Sequence, residues 1–159
     1  MHPIAASANA VLARVLNDLA ETTNGLPDQA LDWAPAPGQN SMAVLVRHSL
    51  AATPFLWGWA AGIPADRRAY FEGERATAFR TAGVTAAALT AAIDSARAEL
   101  AAILERVTDQ TLAAKAAWDW PDGGTPDGGE LLIHAIGHLR EHTAHAGLTR
   151  DLWLAAHKA

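Results

Sequence analysis

Apolar residues recur at three- and four-residue intervals in four separated stretches of the chain, and each stretch predicts an amphipathic helix. In the first, from Pro3 to about Thr22, Ile4, Val11, Leu12, Val15, Leu16 and Leu19 alternate with Arg14, Asn17 and Asp18. Pro3 suits a first helical turn, and Asn24-Gly25 suits a stop. The second follows Asn40-Ser41, either of which can cap it, and runs through MAVLVRHSLAATPFLWGWAAG. Pro54 is expected to end or bend that helix near Thr53. The third is capped by Thr85, and Leu89, Ile93, Ala96, Leu100, Ile103 and Val107 make the four-three repeat of a bundle seam. The last runs from about Gly129 or Glu130 to about Ala156. At about 100° per residue its Leu132, Ile136, Leu139, Thr143 and Ala146 fall in one sector, which is the expected core stripe.

The connectors complete the architecture. LPDQALDWAPAPGQN holds three prolines and leaves room for one short turn around Asp28 to Trp33. Residues 61 to 84 mix Gly62, Pro64, Gly73 and Gly83 with charges and show no strong period, so they read as a long crossover connection. Pro121 to Gly129 is a Gly/Pro/Asp loop, and Trp118 and Trp120 beside it are expected to cover the bundle end rather than line a pocket. The prediction is all-α: a four-helix bundle with a long crossover between helices 2 and 3, in one domain spanning residues 1–159.

Composition narrows the function classes. Half the 159 residues are hydrophobic, largely alanine, and 18% are charged, which is a folding composition rich in the best helix former. A net charge of −5 with no basic cluster argues against nucleic acid. With no cysteine, disulfides are excluded and any metal must be held by nitrogen and oxygen. No stretch approaches 18 uninterrupted apolar residues and the N-terminus lacks a signal-peptide pattern, so no membrane association is expected and the expected location is cytoplasmic.

Four of the seven histidines, His134, His138, His142 and His145, lie within twelve residues of the last helix. Spacings of four, four and three put them along one side of it, and two imidazoles one turn apart can grip one metal ion. A third ligand should come from a facing helix. His2 and His157 are terminal, so His48, embedded in the apolar run of the second helix, is the candidate. On the helical wheel His142 lies at the edge of the core stripe and His138 about 40° further round. His138 and His142 are therefore the preferred pair, and Glu141 with His145 is the alternative at the same spacing.

The runs LDWAPAPGQNSMAVLVRHSLAATPFLW and LLIHAIGHLREHTAHAGLTRDLW together resemble the DinB/YfiT-like superfamily of metal-binding four-helix bundles. In that family a histidine follows an N-S-hydrophobic start to the second helix, as His48 does, and two more lie four apart on the last helix before a short tail ending in arginine, as His138, His142 and Arg150 do. Where the family often has glycine and glutamine after the last ligand, this chain has Ala144 and His145. In the mycothiol-dependent branch, which includes maleylpyruvate isomerase, a glutamate replaces the first histidine of the pair; His138 keeps this chain nearer the all-histidine pattern. The resemblance implies a low-molecular-weight thiol cosubstrate, such as bacillithiol or mycothiol, in an S-transferase or isomerase.

Three functions follow. The first is a metal-dependent thiol transferase acting on a small molecule, with His48, His138 and His142 as ligands. In it, Glu141 or His145 serves as acid/base and Arg150 binds an anionic substrate. Three neutral imidazoles suit zinc or nickel, and iron, copper and manganese are compatible. The second rests on the string His138-Leu139-Arg140-Glu141-His142, which matches the inverted zinc-peptidase pattern H-x-x-E-H. The third is non-catalytic: a metal-stabilised bundle or stress-linked binding scaffold. A homodimer is the expected assembly.

Overall fold

The computed structural model describes residues 1–157, and its long elements are α1 (Pro3–Thr23), α3 (Met42–Ala60), α6 (Ala86–Leu104) and α8 (Gly128–Ala156). Shorter helices fill the connections: α2 (Asp28–Leu31), α4 (Arg67–Tyr70), α5 (Ala76–Ala78) and α7 (Asp109–Ala113). No strand forms among the described residues beyond an isolated bridge between Lys115 and Asp127. The fold is a four-helix bundle. α1 and α3 each pack against both α6 and α8 while barely touching one another, so these two successive helices occupy one diagonal.

Helix ends follow the side chains that satisfy them. Ser41 starts α3 by accepting the Val44 N–H at 3.3 Å, and Thr85 starts α6 by accepting that of Ala88 at 3.1 Å. α8 opens with a reciprocal box, in which Asp127 accepts from the Glu130 N–H at 2.9 Å and Glu130 accepts from the Asp127 N–H at 2.8 Å. Ser41 is buried, so Ser41→Ala is expected to cost about 1 kcal/mol of unfolding free energy, measured by urea denaturation.

Leu12, Val15, Leu16, Leu19, Leu89, Ile93, Leu100, Trp57, Leu131, Leu132 and Leu139 form the centre of the core. Several expectations need correction. Ile4 is exposed, and burial on α1 falls instead to Ala5 and Ala8, whose small side chains allow close helix approach. Of the two outcomes expected at Pro54, an end to α3 is excluded, since the helix continues to Ala60. The proline removes only the bond to Leu50 one turn back, and the rest of α3 is held by burial against both α6 and α8. The α6 seam runs through Leu89, Ile93, Ala96, Leu100 and then Leu104, with Ile103 only half-buried. An uncoiled helix turns 3.6 residues per turn, so its inward position drifts past a strict heptad.

The connection from α3 to α6 departs most from its reading. Arg67 to Ala78 is helical throughout, with a π turn at Phe71–Arg75 between α4 and α5. Only Tyr70 and Ala78 are buried in it, which is too few to leave a periodic signal. It is held instead by Asp66, which accepts the Ala69 N–H at 3.0 Å, and by the Arg68–Glu72 pair at 2.9 Å.

Candidate metal centre

His48 lies two turns into α3, 6% exposed, and faces α8. There it meets His138 and His142, with ring centroids 5.0 and 4.9 Å away. His138 and His142 meet edge to face one turn apart, with centroids 4.4 Å apart and Nε2 atoms 3.1 Å apart. One nitrogen from each of the three residues lies within 4.8 Å of the others, and among the described residues no other group of histidines or carboxylates is so arranged. The inward face of α8 explains the pairing. Its buried residues are Leu131, Leu132, Ala135, Leu139, Ala146, Thr149 and Trp153, while Ile136 and Thr143 are half-buried. The true core stripe is therefore turned by roughly 50° from the expected one, toward the histidines. α8 is gripped between α1 and α3, which broadens its buried sector on that side.

The three imidazoles are held by packing and by each other. The Nδ1 atoms of His48, His138 and His142 are all buried and find no hydrogen-bond partner among the described residues. The nitrogens that face one another are instead Nε2 of His138 and His142, and these are the donors the pair offers to an ion. Two ligands about 2.0–2.1 Å from one ion stand about 2.9 Å apart at a right angle and about 3.3 Å apart at a tetrahedral one, and the His138–His142 distance of 3.1 Å falls between. The donor set of three nitrogens with no thiolate suits a borderline divalent ion.

Burial keeps the cluster neutral. Desolvation, followed by the repulsion of His138, His142 and Arg75, lowers the His48 pKa from 6.5 to about 3. Desolvation, with His142 and His134 next, lowers His138 to about 4. His142 is lowered too, chiefly by desolvation, against an opposing pull from Glu141. Because the folded values lie below those of the unfolded chain, the unfolded state takes up protons first as pH falls. Stability of metal-free protein is thus fully present above about pH 6.5 and drops, by up to ~1.4 kcal/mol per pH unit for each such histidine, as pH falls toward 4. Urea denaturation of chelator-treated protein at pH 7.5 and 5.5 should show this slope, and His48→Leu should flatten it.

The other expected site residues are more peripheral. Glu141 and His145 are exposed on α8, with the His145 ring 6.0 Å from that of His142. Arg150 donates to the carbonyl of Asn24 at the end of α1, 3.2 Å away, and does not line the cavity beside the histidines. That cavity, about 220 Å³, is bounded by His48, His138 and His134, by aromatic residues and by two arginines, Arg67 and Arg75. Trp118 and Trp120 line it, which corrects the expectation that they merely cover the bundle end. Arg67, Tyr70, Phe71 and Arg75 were not anticipated as site residues. The signal was present in RRAYFEGER, where arginines flank an aromatic at four-residue spacing.

An all-helical bundle with an interhelical three-histidine cluster is the class that fold and site define. The chain belongs to the DinB superfamily, whose model matches residues 12–146. No curated protein matches it. Among solved structures it is similar to a conserved protein from Enterococcus faecalis, with 16% identity over 98% of this chain and 99% of that one and a TM-score of 0.73. It is also similar to YfiT from Bacillus subtilis, described as a probable metal-dependent hydrolase with an unusual four-helix bundle topology, with 18% identity, coverage of 95% and 88% and a TM-score of 0.66. A mycothiol-dependent maleylpyruvate isomerase is 14% identical, with a TM-score of 0.64 over 90% of this chain and 60% of the isomerase. At these identities the likeness is one of fold.

Proposed function

We propose that the chain is a single-domain, divalent-metal-dependent enzyme acting on a small molecule, with His48, His138 and His142 as the metal ligands and a low-molecular-weight thiol as cosubstrate in an S-transfer reaction. The observation that carries this reading is the convergence of three neutral imidazoles from two helices on one point beside a cavity. His48, His138 and His142 would hold a divalent ion, which would supply Lewis acidity to a thiol sulfur or a water. The protein's own part is to hold the imidazoles deprotonated by burial and to present an apolar wall that limits water. Glu141 and His145 are the acid/base candidates of this reading, Glu141 because its charge acts on His138 and His142, and His145 because its ring lies 6.0 Å from that of His142. The solved structures described as a probable metal-dependent hydrolase and a mycothiol-dependent isomerase support metal dependence and thiol use, respectively, by analogy of fold.

The test is conjugation of bacillithiol or mycothiol to monochlorobimane by zinc- or nickel-loaded protein. Turnover that is lost on chelation and restored by the ion is expected. Metal-loaded protein inactive with both thiols contradicts the thiol part of the reading. The H-x-x-E-H peptidase reading gains nothing specific from the geometry.

A further inference from the structure

Three arginines in the α4–α5 segment behave differently. Arg68 pairs with Glu72 at 2.9 Å, but Arg67 and Arg75 have no carboxylate within ion-pair distance among the described residues. Instead their guanidinium carbons lie over aromatic faces: Arg67 is 5.2 Å from the Phe71 and Trp118 ring centroids, and Arg75 is 5.2 Å from Phe71 and 4.7 Å from Phe79. Residues 67, 71 and 75 are four apart and share one face of the helical segment, and the smaller rotation per residue in the π turn at Phe71–Arg75 aligns the last two more closely. Both arginines line the cavity that reaches His48 and His138. Arg75 is near enough for its charge to lower the proton affinity of both histidines.

Stacking on rings orients a guanidinium while leaving its N–H fork open for an anion. Trp118, whose ring face carries Arg67, lies in the same wall. The remaining wall is apolar and flat, from Ala52, Phe55, Leu56 and Trp120. A cavity of about 150 Å³ suffices for benzene, so the roughly 220 Å³ here admits one ring or a chain of similar size with a charged group.

We propose that this cavity binds a small organic anion with a flat apolar body, its carboxylate held by Arg67 and Arg75 and its body packed on Phe71, Trp118 and Trp120, next to His48 and His138. That the anion is a substrate rests on the metal-enzyme reading above; that it binds does not.

The probe is benzoate, with neutral benzamide as its isostere, titrated into chelator-treated and zinc-loaded protein and followed by tryptophan fluorescence and calorimetry. Benzoate should bind about tenfold or more tightly than benzamide, the effect of one charge-assisted hydrogen bond, and Arg75→Gln and Arg67→Gln should each remove most of that preference. Rising KCl should weaken benzoate and leave benzamide unchanged, a check that needs no variant. Equal binding of the two probes, no binding of benzoate, or an unaltered preference in both folded variants overturns the proposal. If tag-free protein takes up no metal yet keeps its benzoate preference, the metal reading fails and the anion site stands. Metal binding without benzoate binding gives the converse.

Discussion

Replacing His48 with alanine is expected to weaken zinc binding by more than ~100-fold, because loss of a partner one shell further out already costs 10–100-fold and here a ligand itself is removed. His48 is the one member of the cluster on α3, and without it the site reduces to two imidazoles on a single helix turn. His138→Ala and His142→Ala should have comparable effects, whereas His145→Ala and His134→Ala, which alter exposed residues, should change affinity little. Competition with a chromophoric chelator measures all five. The metal-free variants should keep their helical circular dichroism, since the imidazole nitrogens removed leave no hydrogen bond broken other than that between His138 and His142. Unchanged zinc affinity in His48→Ala would assign the histidines a packing role instead.

Trp57→Ala should be the most damaging substitution in the core, lowering unfolding free energy by about 3–5 kcal/mol. Trp57 is fully buried on α3, and its indole N–H donates to the Leu132 carbonyl of α8 at 3.1 Å. It therefore joins the two helices that carry the three histidines. Truncation loses apolar burial, leaves a cavity that neighbours fill only in part, and removes an interhelical hydrogen bond. Trp57→Phe keeps most of the volume and should cost clearly less. Urea denaturation of chelator-treated protein, followed by far-ultraviolet circular dichroism, reads both. A loss under about 1 kcal/mol for the alanine variant would mean that α3 and α8 are held elsewhere.

The bundle was legible because each long helix repeats its apolar residues often enough to fix a face, and because Ser41 and Thr85 sit where a helix start needs an acceptor. The cluster was legible for a related reason: His138 and His142 share a turn, and His48 is a polar residue inside an apolar run. Periodicity misjudged the orientation of α8. It favoured Ile136 and Thr143, whereas small Ala135 is fully buried and both of those are half-exposed. Hydrophobicity ranks side chains, but close helix approach selects small ones. The second half of the site was hidden because Arg67 to Ala78 is shaped by one N-cap, one surface ion pair and a π turn, none of which leaves an apolar repeat. Trp118 and Trp120 lie far from these residues in sequence, and only the fold joins them in one cavity wall.

The central claim is that His48, His138 and His142 share one divalent ion. X-ray absorption of tag-free protein loaded with zinc or nickel tests it most directly. The account predicts about one ion per chain with three imidazole nitrogens, at about 2.0–2.1 Å for zinc. A spectrum with two imidazoles or fewer, or a metal content near zero, would contradict it.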